Sequence, residues 1–325
     1  MDKPVFSIIA PIYNELENLP LLYVRVRDEM EKTGEDWELI LVDDGSQDGS
    51  TDVIRKLAAS DARVRPVIFA RNFGHQIAVS AGLDYSRGDA VIIIDADLQD
   101  PPEVIGKLIE KWREGYQVVY AVRAEREGET RFKTATASAF YRIIDRITDI
   151  RIPLDTGDFR LMDRKVVDIM KTMRERNRFL RGMSAWTGFK QIGVEYKREA
   201  RHAGESKYPL KKMLKLAMNA VTGFSIWPLQ LATRIGIGLL AVDFIGLIVV
   251  IILSTAAHVD FHGLATLGII MVFLAGLILT FMGILGEYIG RIYDEAKGRP
   301  LYIVAEGPEE PFNPIRLDLP PDVKA

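Results

Sequence analysis

The sequence predicts an α/β protein: a doubly wound, mostly parallel sheet, followed by an interfacial amphipathic helix and two transmembrane helices. Three observations carry this. Short apolar runs alternate with segments of helical spacing from residue 5 to residue 122, the pattern of a sheet built from βα units. The run Val91–Ile94 is continuously apolar, as a parallel strand buried on both faces must be. Two long apolar stretches then follow: Ile235–Ala257, 23 residues with Asp243 as the single charge, and Gly263–Gly286, 24 residues with none. At a rise of ~1.5 Å per residue each makes roughly 35 Å of helix, more than a ~30 Å hydrocarbon core requires.

Taken in order, PVFSIIAPIYNE reads as a strand ending at Pro11, and 16–32 has helical apolar spacing. Residues 37–42 form a second strand that ends in acids, and 50–59 a helix capped by Asp48 or Ser50. Residues 64–70 are a third strand, 76–85 a helix and 90–94 a fourth strand. A helix over 101–114 follows, with proline at its start and Asp100 in the cap position. Residues 117–122 are the fifth strand. From residue 123 the alternation breaks. Residues 131–148 read as a basic amphipathic helix, and DTGDFRLMDRKVV as a turn, a short strand and a helix start. Residues 210–224 place Leu210, Met213, Leu214, Ala217, Val221 and Phe224 on one stripe with Lys211, Lys212 and Lys215 off it, which suits a helix lying on anionic headgroups. The Pro-rich, acidic stretch after Pro308 reads as extended or disordered.

With 42 basic and 45 acidic residues, the net charge of -3 argues against a nucleic-acid binder. The absence of cysteine excludes disulfides and thiolate sites, and the four scattered histidines have no metal-ligand spacing. A metal would therefore be a hard cation on oxygen ligands, Mg²⁺ or Mn²⁺. Met1–Ile12 is too short for a signal peptide. Lys211, Lys212, Lys215, Arg234, Arg291, Lys297 and Arg299 flank the apolar pair on one side, whereas the loop 258–262 has no Lys or Arg. The excess of positive charge on that side places both termini in the cytoplasm.

Ligands of open α/β sheets bind beyond the carboxyl ends of the strands, and three strand ends here are polar: PIYNE, DDGSQDGS and DADLQD. Asp95 and Asp97 are two residues apart and share a face, with Gln99 continuing the row. Two carboxylates so placed repel unless a cation lies between them, and a divalent ion there would bridge a diphosphate. Acids at strand ends also serve as caps, the reading that suits Asp100. An Asp-x-Asp after an apolar strand, with a second acidic strand end about 50 residues earlier, says more than either alone.

The stretches SIIAPIYNE, LVDDGSQDGS, ARNFGHQIAVSAGLDYSRGD and DADLQDPPE resemble family 2 nucleotide-sugar glycosyltransferases of the GT-A fold. DTGDFRLMDRKVV, RFLRG and RHAGESKYPLKK, followed by two spans, look like the polyisoprenyl-phosphate subgroup, which includes bactoprenol glucosyltransferases and dolichyl-phosphate mannose synthases. The resemblance implies a catalytic domain over 1–206, interface helices over 207–228, a transmembrane hairpin over 229–290 and a tail over 291–325. It implies that Pro11, Tyr13 and Glu15 border the base and that Asp43, Asp44 and Asp95 serve the nucleotide. Asp95, Asp97 and Gln99 would hold Mg²⁺ or Mn²⁺ on the donor diphosphate. Asp158 would face the sugar, as a base or as an electrostatic orienter. Arg123, Arg131, Lys133, Arg201, Ser206 and Lys207 would gather the donor and acceptor phosphates.

The function so implied is inverting transfer of a sugar to polyprenyl phosphate at the cytoplasmic face of the bilayer. Glucose from UDP-glucose is the first choice of donor; mannose from GDP-mannose and a modified arabinose are the alternatives. A processive polysaccharide synthase lacks support, because no QxxRW segment occurs. A non-catalytic lipid-phosphate scaffold is the rival of another class, opposed by the intact set Asp95, Asp97, Gln99 and Asp158. Asp243 inside the first apolar stretch would mark a protein contact or a cavity. Gly286 and Gly290 are spaced for helix packing, and a homo-oligomer is expected from the resemblance.

Overall fold

The computed structural model describes residues 3–123, 156–197, 227–256 and 263–308. The expected amphipathic helices over 131–148 and 210–224, and the stretch after Pro308, lie outside them. The chain divides into two units, one holding the sheet together with residues from 300 onward, the other holding the two long helices.

In the sheet unit the elements are β1 (Phe6–Ile12), α1 (Leu19–Glu31), β2 (Trp37–Asp43), α2 (Ser50–Ser60), β3 (Val64–Phe69), α3 (His75–Tyr85) and β4 (Ala90–Ile93). A 3-10 turn (Pro102–Val104), α4 (Ile105–Arg113), β5 (Val118–Arg123), β6 (Thr156–Asp163), α5 (Arg164–Thr172), α6 (Leu180–Trp186) and β7 (Gln191–Tyr196) follow. A last strand, β8 (Val304–Glu306), completes an eight-stranded sheet of order β7-β5-β6-β4-β1-β2-β3-β8. The block β3-β2-β1-β4 is parallel, and every residue of β1, β2 and β4 is buried. This is what their unbroken apolar runs require.

The sheet is mixed rather than simply doubly wound, because β6 runs antiparallel between β4 and β5. Its first residue, Thr156, pairs with Val122 near the end of β5. The chain thus re-enters the sheet at the carboxyl end it had left, and a strand starting there must run backward. Two caps also differ from expectation. The 101–114 helix opens as the 3-10 turn, and Asp100 is buried, accepting a hydrogen bond from the Tyr196 hydroxyl instead of capping. Gly49 takes the cap position of α2 at φ 95°, while Asp48 accepts from the Ser50 backbone N–H at 3.0 Å.

Close packing sets α3 onto β1: a Cβ built on Gly82 would lie 2.2 Å from Ile9 Cγ2. At the amino ends of the strands, buried Glu38 accepts from Ser7 Oγ (2.6 Å), the Arg87 amide (2.9 Å), the Arg65 guanidinium (2.8 Å) and the Arg87 guanidinium (2.8 Å). The open side of β3 is closed by β8, within the region expected to be only a tail. Tyr302 stacks on Phe69 with centroids 5.2 Å apart and donates to Asp84 at 2.7 Å, and Arg174 grips both oxygens of Asp84 at 2.9 and 3.0 Å. Three residues of strand are too few to show as a period in the sequence.

In the other unit, α7 (Trp227–Ala256) and α8 (Gly263–Ala296) are continuous helices of 30 and 34 residues. Among the described residues Phe273–Ala296 is long and apolar enough to cross a membrane. That segment sits nearer the C-terminus than the expected Gly263–Gly286. Asp243 lies inside α7, and its side chain is outside what the structure describes.

The Glu38 network yields a stability prediction. Burial alone would raise the Glu38 pKa, but Ser7, the Arg87 amide and Arg65 outweigh it and the group titrates below its ordinary value. Its contribution is therefore complete above the unfolded carboxylate pKa of ~4.3 and is lost as pH falls through the folded value. Glu38→Gln strands two arginines and should cost about 3 kcal/mol at neutral pH. Thermal melts of the detergent-purified protein should show a fall of roughly 6–12 °C, shrinking in acid.

Candidate active site at the strand ends

The turn after β1 and the turn after β2 are sewn together. The amides of Asn14, Glu15 and Leu16 donate to Ser46 Oγ (3.0 Å), Ser50 Oγ (3.1 Å) and Asp48 Oδ2 (3.1 Å), and the Gln47 amide returns to Asn14 Oδ1 (2.8 Å). Asn14 sits at φ 56°, a conformation its short polar side chain tolerates. The β2 turn in turn grips the loop after β3. Asp44 Oδ1 accepts the Phe73 amide at 2.6 Å and Asp44 Oδ2 the Gly74 amide at 2.9 Å, while Asn72 Nδ2 donates to the Asp44 carbonyl at 3.1 Å. Gly45 makes this approach possible. It sits at φ 72°, and a Cβ there would lie 2.7 Å from the carbonyl carbon of Arg71 and the nitrogen of Asn72.

These contacts show what Asp43 and Asp44, both expected to serve the nucleotide, do within the protein. Both are buried, at 0% and 3% exposure, and both are occupied by the protein. Asp43 accepts from the Ser46 amide (2.9 Å) and the Thr51 hydroxyl. A strand-end acid whose own turn offers N–H groups binds them, so both carboxylates help to hold the turns at this end of the sheet. Pro11 is likewise buried, within β1. Tyr13 is exposed at this end, and Glu15 is half-buried with Oε2 accepting from Asn18 Nδ2 at 2.6 Å.

The grip on residues 72–74 places the start of α3, and with it His75 and Gln76. The β4–β6 ladder pairs Ile93 with Arg160, so two further steps set Asp95 opposite Asp158. His75 lies between them, with Nε2 3.1 Å from Asp158 Oδ2 and 3.6 Å from Asp95 Oδ1. Gln76 Nε2 donates to Asp158 Oδ2 at 2.8 Å, and Arg181 Nε, from α6, to Asp158 Oδ1 at 2.8 Å. Burial would raise the Asp158 pKa, but Arg181, His75 and Arg160 override it and hold the carboxyl well below the usual range. Burial opposes charge on His75, yet the hydrogen bond to Asp158 and the fields of Asp95 and Asp158 raise it to about 9. Asp95 is pushed up to about 6, chiefly by burial and then by the charges of Asp100, Asp158 and Asp97 against the pull of His75.

From residue 95 to 100 burial alternates: Asp95, Asp97 and Gln99 are half-exposed, Ala96, Leu98 and Asp100 buried. The row alternates in exposure, although β4 ends at Ile93 and residues 96–100 form a turn, in which the Gln99 amide donates to Asp97 Oδ1 at 3.2 Å and Leu98 sits at φ 59°. Asp95 Oδ1 is buried and meets no hydrogen-bond donor among the described residues. No three acidic or histidine side chains form a metal cage among those residues. Two carboxylates and an amide oxygen, one carboxylate oxygen still lacking a donor, suit a hard cation that completes its shell with water and phosphate oxygens.

The expected cations are placed less simply. Arg123 is turned toward the Asp100–Tyr196 pair, its Nε 3.4 Å from the Tyr196 hydroxyl. Arg131, Lys133, Arg201, Ser206 and Lys207 lie outside the described residues. The positive charge that the structure brings to the acids is that of His75, Arg181 and Arg160, none of which sequence reasoning singled out. Their only signal was membership in the quoted GHQ, RFLRG and GDFRL stretches. Spacing gives no hint that residues 75, 158 and 181 converge.

The class of protein comes from the family match: it is a glycosyltransferase. Residues 7–169 match the model of glycosyl transferase family 2. An uncharacterized glycosyltransferase of Bacillus subtilis (strain 168), YkcC, is 53% identical over 299 residues, 92% of this chain and 93% of that one. The SfII prophage-derived bactoprenol glucosyl transferase of Shigella flexneri is 43% identical over 298 residues, 92% of this chain and 96% of that one. An uncharacterized glycosyltransferase of Synechocystis sp. (strain ATCC 27184 / PCC 6803 / Kazusa), sll0501, is 44% identical over 302 residues, 92% of this chain and 94% of that one. The chain belongs to glycosyl transferase family 2.

The interlocked turns predict a sharp effect of one methyl group. Gly45→Ala combines left-handed backbone strain with a backbone clash and should cost about 1–3 kcal/mol. A lowered melting midpoint together with faster amide exchange at Phe73 and Gly74, and no change at the Glu38 end, is the expected result.

Proposed function

We propose that the protein transfers a hexose, glucose from UDP-glucose by preference, to the phosphate of a polyprenyl phosphate at the cytoplasmic face of a membrane. The observation that carries this reading is the likeness to a bactoprenol glucosyl transferase, 43% identity over 298 of 325 residues. An alignment of that length cannot leave out both long helices. Exposed Ile237, Val242, Phe244 and Ile245 on α7 and Leu279, Met282 and Ile292 on α8 suit a lipid environment, which supports two spans.

In this reading an oxygen of the prenyl phosphate attacks the anomeric carbon. The bond from that carbon to the diphosphate oxygen breaks, the electron pair leaves with the nucleoside diphosphate, and configuration inverts. A phosphomonoester has its second pKa near ~6, so the nucleophile is already ionised at neutral pH and needs no base. Asp158 matches that requirement. With three donors on its two oxygens it stays ionised and is a poor proton acceptor. It acts as a fixed negative charge facing the developing positive charge at the anomeric carbon. Asp95, Asp97 and Gln99 would hold Mg²⁺ or Mn²⁺, which when bound neutralises charge on the donor diphosphate. Tyr13 and Glu15 border the nucleoside side of the site. The segments carrying Arg131, Lys133, Arg201, Ser206 and Lys207 serve the phosphates, and a homo-oligomer is the working assembly.

The decisive assay incubates the detergent-purified protein with undecaprenyl phosphate and a panel of labelled nucleotide sugars. A lipid-soluble product from UDP-glucose, abolished by chelation and restored by Mg²⁺ or Mn²⁺, is expected; no product from any donor would sink the reading. Asp158→Asn should lower kcat by about 10²–10³-fold with the fold intact. The pH profile separates orienter from base. Asp158, held well below the usual carboxylate range, adds no inflection near neutrality, whereas Asp95, pushed up to about 6, and the acceptor phosphate both titrate near an acid limb at pH ~6, and varying the acceptor tells them apart. Replacing the acceptor by a phosphonate with a higher second pKa should move that limb upward; a limb that stays put would assign it to the enzyme.

A further inference from the structure

Gln76, the second residue of α3, uses its amide at both ends. Its Nε2 donates to Asp158 Oδ2 at 2.8 Å, and its Oε1 accepts the backbone N–H of Leu180 at 3.0 Å. Leu180 opens α6 and is 1% exposed, so this amide, free of any partner within its own helix, is buried away from water. The next residue, Arg181, donates Nε to the other oxygen of Asp158 at 2.8 Å. Three hydrogen bonds and the Leu180–Arg181 peptide link close a ring: Gln76 amide, Asp158 carboxylate, Arg181 guanidinium, Leu180 amide, and back to Gln76.

Only a primary amide joins a donor and an acceptor in one rigid plane with this reach. Glutamate would still accept from Leu180 but would lose the donor and set a second negative charge against Asp158. Methionine fills similar space and does neither. Asparagine is one methylene short.

We infer that Gln76 is a positioning residue for sugar transfer. Its amide fixes the separation and mutual angle of Asp158 and Arg181, so the carboxylate and guanidinium meet the sugar–diphosphate junction as one preorganised unit. This rests on the glycosyl-transfer reading of the site. A purely structural glutamine would affect melting and the anchoring of α6 together; a positioning one affects the rate where the anchor survives.

The test compares the full-length detergent-purified protein with Gln76→Glu and Gln76→Met. It follows kcat, the KM for donor and acceptor, the melting midpoint, and hydrogen exchange in peptides covering 178–186. Gln76→Glu should keep the Leu180 amide protected and Gln76→Met should expose it, with both folded at the assay temperature. Both should lose about tenfold to a hundredfold in kcat, with donor KM changed less than about threefold. Parental kcat in Gln76→Glu, or losses in kcat that only follow a falling melting midpoint, would overturn the inference. So would exchange at Leu180 that is equal in all three proteins. If the parental protein moves no sugar, the functional reading fails on its own, and the exchange comparison still decides whether the clamp exists.

Discussion

A carboxylate buried among other carboxylates is the constraint around which this site is built. Asp158 lies almost out of water, with Asp95 opposite it across the sheet and Asp100 and Asp97 close behind. An ionised group there survives only if donors surround it. The fold supplies them from two helices remote in sequence, His75 and Gln76 at the start of α3 and Arg181 in α6. Much of the surrounding structure serves to hold those helices. Asp44 fixes the turn that launches α3, and Asp84 fixes its far end through Arg174 and Tyr302. Asp44, expected to serve the nucleotide, also holds the turn that places His75.

The two ends of the parallel block show what distinguishes a structural acid from one available for chemistry. Glu38 and Asp95 both sit in the sheet among charged neighbours. Every oxygen of Glu38 is met by a donor, and burial fails to hold its proton on. Asp95 has an oxygen that meets none, a histidine too far away for a hydrogen bond, and a pKa pushed upward. Such an imbalance is costly to folding and is tolerated where an incoming group completes the shell.

The same comparison explains what could be read in advance. The order of strands and helices through residue 122 was legible, because each buried strand writes an unbroken apolar run and each helix an apolar stripe. The strand that runs into Asp95 was legible from its apolar run, whereas the turn that carries Asp97 and Gln99 was not. What was hidden depends on pairing rather than period. The antiparallel insertion of β6 brings Asp158 to Asp95, and no local pattern in DTGDFRL specifies its neighbours. The turn contacts of Asp43 and Asp44 were hidden for another reason: Asp43 takes its donors from its own turn and Asp44 from the loop after β3, a choice that only geometry settles. His75 looked like one of four scattered histidines, and β8 was too short to register.

Charge balance, finally, limits what the sheet does alone. Near the anomeric position of the proposed reaction, Asp95, Asp97 and Asp158 are met by His75, Arg181 and Arg160, which leaves the local sum near neutral. A donor diphosphate and an acceptor phosphate add several further negative charges, and two anions approach only when cations stand between them. Arg123 contributes little, since it faces the Asp100–Tyr196 pair. In the proposed reaction the missing charge would come from a divalent metal beside Asp95 and Asp97 and from Arg131, Lys133, Arg201 and Lys207, which follow β5 and β7 in the sequence. On that reading the sheet orients the sugar and keeps Asp158 charged, and bringing two phosphates together needs cations beyond those the sheet supplies.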